Sequence, residues 1–224
     1  MKVRAVICDV YGTLLRVDPP PVDAPGRWLR ECEALTGQSI PLAEFNVRCA
    51  EAVAGQHALR RASGEPFPEV DWPAVVQSAV PSLTDRGQTL DLSRLHATCS
   101  RTCSAMPGAL AALQSFTDAG VLLGLASNAQ HYTRDELALA GFSLDQFHPA
   151  LSFLSGDHGF AKPSPRVFQF LTERLAALGI SPSETLMIGD SIENDIFPAR
   201  AAGWQTRLIS GTEENPWRDE EGGD

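Results

Sequence analysis

Five short apolar runs, each bounded by Gly, Asp or Ser, constrain this chain more than any other feature of its sequence. Val3 to Cys8 is interrupted only by Arg4 and ends at Asp9, with Gly12 close behind. Val121–Ala126, Ala150–Leu154, Thr185–Ile188 and Thr206–Ile209 have the same character. Runs this short and this apolar predict strands of a parallel sheet covered on both faces. Helical signals lie between them. Met106-Pro107-Gly108 opens a stretch with Leu110, Leu113 and Phe116 on one face, closed by Gly120. Thr133 and Glu136 have the spacing of a capping box. Ser164 is the expected N-cap of a helix with Pro165 in its first turn and Val167, Leu171, Leu175 and Leu178 along one side. Asp195 is expected to cap a short helix that ends at Gly203. The alternation predicts an α/β fold with a Rossmann-like, doubly wound parallel sheet.

Residues 18–105 break the alternation. Asp18-Pro19-Pro20-Pro21 reads as a stiff linker. Helical periods follow: Trp28, Cys32 and Leu35; Phe45, Cys49, Ala52 and Val53; Leu92, Leu95 and Cys99. Asp71 before Trp72-Pro73 marks another helix start, and Trp28 and Trp72 are the expected core anchors. The organisation predicted is therefore a core from 1–17 and 106–210, an all-helical insertion at 18–105, and an acidic, fraying tail at 211–224.

Composition narrows the function. With 18 basic against 28 acidic residues the net charge is −10, which argues against nucleic-acid and membrane-surface roles. No apolar run approaches the roughly 20 residues that span a bilayer, and the opening MKVRAVICDVYG meets an acid too early for a secretory signal. The five cysteines lack metal-ligand spacing, so a reduced, cytoplasmic protein is expected. Nothing in the sequence sets the oligomeric state.

Ligands of parallel sheets collect beyond the carboxyl ends of the strands. The residues there are Asp9 and Thr13, Ser127 and Asn128, and Asp190 and Asp195, with Lys162 in a nearby loop. Three acids in one crevice against a single Lys repel one another unless a cation compensates, and oxygen ligands suit Mg²⁺. Hydroxyls at Thr13 and Ser127 and the Lys162 ammonium suit the outer oxygens of a phosphoryl group. Of the 18 basic residues only Lys2 and Lys162 are lysine, so Lys162 stands out as a compact point charge in a chain that otherwise uses arginine.

The stretches ICDVYGTLL, GLASN, FAKPSP and MIGDSIEND resemble the four ordered motifs of the haloacid dehalogenase superfamily, and the helical insertion lies where that family places a cap. The resemblance implies a hydrolase acting on a small-molecule substrate through a covalent intermediate. Asp9 would be the nucleophile, with Thr13, Ser127 and Lys162 as catalytic partners and Tyr11, Gly12 and Asn128 as substrate-binding positions. Mg²⁺ would be held by Asp9, the Tyr11 carbonyl and Asp190, with Asp195 positioning it.

The family pattern splits at two places. Most phosphatases of the superfamily carry a general-acid Asp where this chain has Tyr11, whereas the metal-independent 2-haloacid dehalogenases share its Asp-x-Tyr-Gly-Thr opening. Asp190, in contrast, is a carboxylate those dehalogenases lack, and it penalises an anionic 2-halo acid beside Asp9. Loss of the acid at Tyr11 costs rate, about 10²–10⁴-fold, rather than binding, and weighs least on a good leaving group such as an acyl or aryl phosphate. The favoured reading is a Mg²⁺-dependent phosphatase. A dehalogenase, with Arg16, Arg48, Arg60 or Arg61 receiving the substrate carboxylate, and a catalytically weak binding protein are the alternatives. Lys162 paired with Asp190, with no room left for an ion, would favour the dehalogenase.

Overall fold

The computed structural model describes residues 2–209 and 216–217. In chain order the elements are β1 (Ala5–Cys8), β2 (Leu15–Asp18), α1 (Ala24–Thr36), α2 (Leu42–Ala62), α3 (Trp72–Ala79), α4 (Arg86–Ser100), β3 (Thr102–Ala105), α5 (Ala109–Asp118), β4 (Leu122–Ser127), α6 (Thr133–Leu139), β5 (Phe147–Leu154), α7 (Pro165–Ala177), β6 (Thr185–Gly189), α8 (Phe197–Ala201) and β7 (Gln205–Leu208). The chain divides into two units. One comprises 1–17, 103–157 and 161–224; the other comprises 18–102 and 158–160.

The first unit is built on a five-stranded sheet in the order β5-β4-β1-β6-β7, with every pair parallel. It is the α/β sheet flanked by helices that the five apolar runs predict. The order places β1 centrally, with the chain winding outward to β4 on one side and β6 on the other. That reversal is a topological switch point, where open α/β sheets leave a crevice. Register brings the strand ends level. Cys8 lies opposite Leu125 and Ile188, so Asp9 emerges within one residue of Ser127 and Asp190.

Beneath the crevice, Val6, Cys8, Leu113, Leu123, Leu125, Leu137 and Ile188 form one buried cluster. Each such side chain contributes about 1.5–3 kcal/mol on burial, which anchors the strands whose ends carry the polar residues. Cys8 is wholly inside it, and burial followed by the charge of Asp9 pushes its thiol far above the usual range.

The second unit is helical. Ala24, Trp28 and Cys32 of α1, Phe45 and Cys49 of α2, Val75 and Val76 of α3, and Leu92, Leu95 and Cys99 of α4 close a core of their own. The Trp28 indole donates to the Ile40 carbonyl at 2.7 Å, which satisfies the one polar atom of a buried ring. Asp71 and Asp85 cap α3 and α4 by accepting from Ala74 N and Gln88 N. No helix among the described residues is long and apolar enough to cross a membrane.

Several local expectations are corrected. Thr133 and Glu136 do not form a capping box: Tyr132 is the N-cap, and no side chain caps α6. Ser164 is the N-cap of α7, yet its hydroxyl makes no cap bond. Asp195 caps nothing; Ser191 accepts from Asn194 N at 3.1 Å, and Asp195 lies inside the π-helical turn Ile192–Ile196. The strands β2 and β3 flank the insertion and form a small sheet of their own. Their mixed residues, LRVD and TCSA, carry no periodic signal. Residues 103–105 accordingly fall in the sheet-bearing unit, three places earlier than expected. The fraying expected of the tail does not describe Trp217, which is buried in the sheet-side core and donates from Nε1 to the Thr13 carbonyl at 2.8 Å. Most other tail positions lie outside the described residues.

Candidate functional site

The crevice at the switch point has a volume of about 170 Å³ and is lined by Asp9, Tyr11, Ser127, Asn128, Lys162, Asp190 and Asp195, joined by Ser191 and Asn194. Larger clefts exist, about 340 Å³ beside α7 and α8 and about 530 Å³ in the helical unit, but neither gathers carboxylates. Seven of the nine residues singled out in the sequence line this small, polar crevice. Gly12 and Thr13 lie outside its lining.

Lys162 is the hub. Its ammonium is 2.7 Å from Asp9 Oδ1 and 2.5 Å from Asp195 Oδ1, with all three side chains buried. Burial alone would pull the ammonium down, but the charges of Asp9 and Asp195 and the hydrogen bonds to both hold it above its ordinary value. It does not pair with Asp190. The Lys162 main chain is fixed from across the sheet: Asn128 Oδ1 accepts from Lys162 N at 2.7 Å, and Asn128 Nδ2 donates to Lys162 O at 2.9 Å. The Asn128 amide is thus engaged with the protein on both of its polar atoms.

Asp9, Asp190 and Asp195 each offer an oxygen within 4.8 Å of the others. Three carboxylates against one ammonium leave an excess of about two negative charges in one small space. Asp190, the exposed member, is pushed up to about 6, first by loss of water around its carboxyl and then by Asp9 and Asp195. Asp195 is also pushed up, first by burial and, against the pull of Lys162, by Asp9. Its second oxygen accepts from Ser191 N at 3.1 Å. An all-oxygen donor set with a surplus of two charges fits a hard divalent cation.

Two glycines make room for these acids. Gly12 has φ +81°, and a Cβ there would collide with the Asp190 carboxylate. A Cβ on Gly189 would collide with the carboxylate of Asp195. Both positions therefore let a carboxylate lie directly against backbone. Thr13 is fully buried, and its Oγ1 has no hydrogen-bond partner among the described residues. An orphan hydroxyl of this kind is costly unless a ligand or water meets it.

The Tyr11 ring turns toward α6, where its hydroxyl donates to Glu136 Oε2 at 2.5 Å and lies 2.7 Å from Thr133 Oγ1. Sequence reasoning missed this use of Thr133 and Glu136. It also left Ser191 and Asn194 unassigned, although both sit inside the quoted stretch MIGDSIEND. Among the described residues, no arginine lines the crevice. Arg48 is taken up by Glu44 and the Ala79 carbonyl, and Arg60 donates to the Gly159 carbonyl.

A family model described as a haloacid dehalogenase-like hydrolase matches residues 3–203. Among curated proteins, the chain is 36% identical over 98 residues to a phosphoserine phosphatase of Thermus thermophilus, a stretch covering 43% of this chain and 37% of that protein. It is 29% identical over 101 residues to a glyceraldehyde 3-phosphate phosphatase of Pyrococcus furiosus, covering 45% and 40% respectively. The matches thus span about two fifths of the length of these relatives. Among solved structures, a 2-haloacid dehalogenase from Pseudomonas syringae pv. Tomato DC3000 superposes with a TM-score of 0.63 at 18% identity, over 92% of this chain and 86% of that one. At that identity the likeness is one of fold.

Proposed function

The chain belongs to the haloacid dehalogenase-like hydrolases, and from that premise we propose that it is a Mg²⁺-dependent phosphatase of a small phosphorylated metabolite, working through a phosphorylated Asp9. The observation that carries the reading is the charge arrangement at the crevice. Lys162 bridges Asp9 and Asp195 and leaves Asp190 to a further cation. A metal-free pocket for an anionic 2-halo acid has no use for that third carboxylate. The phosphatase names of the curated relatives favour the same reading.

In this mechanism Asp9 attacks phosphorus, and water then hydrolyses the acyl phosphate. Lys162, its main chain fixed by the Asn128 amide, pairs with Asp9 and presents positive charge to the outer oxygens of the transferring group. The Ser127 hydroxyl supplies a neutral hydrogen bond to the same oxygens, whereas the Thr13 hydroxyl is buried outside the crevice lining. Asp9, Asp190 and the Tyr11 carbonyl would hold the metal, and Asp195 would position it. When bound, Mg²⁺ supplies the charge that offsets the phosphate dianion.

The test is phosphate release from small phosphate monoesters and acyl phosphates. Release should require Mg²⁺, stop with EDTA, and fall about 10⁴-fold or more in Asp9→Asn with the fold intact by circular dichroism. Chloride release from 2-chloropropionate that ignores EDTA would establish the dehalogenase reading instead. Neither activity, with partner contacts surviving Asp9→Asn, would establish a binding protein.

A further inference from the structure

We propose that this crevice acts on phosphates whose leaving group departs as a stable anion: acyl phosphates foremost, aryl phosphates next, and simple alkyl phosphates poorly. The inference rests on the phosphatase reading above and names its substrate class. It comes from asking which group at the crevice could protonate a departing oxygen. In that reading Asp9, Asp190 and Asp195 act as nucleophile and cation ligands. Among the described residues that line the crevice, two donors then remain with the chemistry for the task, Lys162 and Tyr11.

Neither is at liberty. The Lys162 ammonium is buried between two carboxylates, at 2.7 Å and 2.5 Å. Giving up its proton would leave two buried acids facing a neutral amine. The Tyr11 hydroxyl is turned into the protein, where it donates to the buried Glu136 at 2.5 Å and touches Thr133 at 2.7 Å. Those two residues stand three apart on α6 and so share one face. Redirecting the phenol would break its short, charge-assisted hydrogen bond to that carboxylate, at a cost above that of an ordinary lost bond.

The chemistry follows. The Asp9 carboxylate bonds to phosphorus, and the bond from phosphorus to the leaving oxygen breaks with its electron pair staying on that oxygen. From an acyl phosphate dianion the products are the phosphorylated aspartate and a free carboxylate, with no proton moved. Water then adds at phosphorus, the Asp9 carboxylate is released, and both water protons leave on dihydrogen phosphate. A carboxylate leaving group has a conjugate acid of pKa about 4 and a phenolate about 10. An alkoxide resembles hydroxide, at about 15.7. Without a proton donor the alkyl ester loses about 10²–10⁴-fold in rate, and the acyl phosphate loses little.

The experiment compares Mg²⁺-dependent phosphate release from acetyl phosphate, a series of substituted phenyl phosphates and glycerol phosphate. We expect kcat/KM for acetyl phosphate to exceed that for glycerol phosphate by about 10²-fold or more, and rates in the phenyl series to climb steeply as leaving-group pKa falls. Tyr11→Asp, which puts a carboxyl where the phenol stands, should raise glycerol phosphate turnover relative to acetyl phosphate at least tenfold. Glu136→Gln should leave the phenyl-series slope unchanged. A flat series with acetyl and glycerol phosphates turned over alike overturns the inference while leaving the phosphatase reading standing. So does a selective loss of glycerol phosphate turnover in Glu136→Gln, which would mean that Tyr11 relays a proton. Release from no phosphate compound overturns both.

Discussion

The two units bury ionisable groups in opposite ways. The sheet-bearing unit keeps charge inside: Asp9, Lys162 and Asp195 are all buried at one strand-end crevice, held by mutual pairing. The helical unit keeps its buried Cys49 and its half-buried His96 neutral. His96 packs against Trp28, Phe45 and Trp72 with ring centroids 5.2–6.0 Å away. Burial, with a smaller contribution from Arg101, pushes it down to about 4. Burial likewise pushes the Cys49 thiol up to about 12. An isolated buried charge is expensive, so a protein discards it unless it is paired or used. The contrast marks the sheet-bearing unit as the one that spends free energy on keeping charge buried.

The sharpest way to break this contrast is to remove the hub. Lys162→Met should lower phosphate release about 10²–10³-fold. In EDTA it should also cost about 3–5 kcal/mol of stability, because Asp9 and Asp195 are left buried and unpaired. Urea unfolding of the metal-free protein reads this directly. An unchanged midpoint would mean that the triad is not held as described.

The opposite arm of the contrast is the pH response of the helical unit. Unfolded His96 takes up a proton below about 6.5, whereas the folded residue does so only near 4. Between those values the unfolded chain binds more protons. The contribution of His96 to stability is therefore complete above about pH 6.5 and is lost as pH falls toward 4. Wild type should weaken by about 2–3 kcal/mol across that window relative to His96→Phe, as followed by urea midpoints at pH 7, 5.5 and 4.5. Parallel curves for the two proteins would contradict a neutral, half-buried His96.

The mildest expected effect tests a neutral tie in the charged unit. Trp217→Phe keeps a ring in the core but leaves the Thr13 carbonyl without its donor. The expected loss is about 1–2 kcal/mol, a Tm drop of about 2–4 °C per kcal/mol for a chain of this length. No change in Tm would mean that the tail does not brace the Thr13 loop.

Much of the site was legible because its logic is local. Asp9, Ser127 and Asp190 lie at the ends of short apolar runs, and a run of that length between polar stops fits a buried strand better than a helix, with the next residues at the rim. Lys162 was legible by contrast with sixteen arginines. What escaped depends on partners distant in sequence. The spacing of Thr133 and Glu136 fits a capping box, but Tyr11, more than 120 residues earlier, claims both side chains. The position of Asn128 after a strand suggests a substrate contact, yet its amide meets the main chain 34 residues away. The strands β2 and β3 were invisible because each is too short and mixed to signal alone, and they exist only as a pair.

The sequence by itself determined the α/β class, the helical insertion and the identity of the acids at the strand ends, since periodicity and punctuation act within one element. Only the tertiary structure decided how those acids are shared. That Lys162 chooses Asp9 and Asp195 over Asp190, that Tyr11 faces α6, and that Trp217 reaches the Thr13 carbonyl are outcomes of packing. Each is settled by competition among neighbours that the fold, and not the order of the chain, brings together.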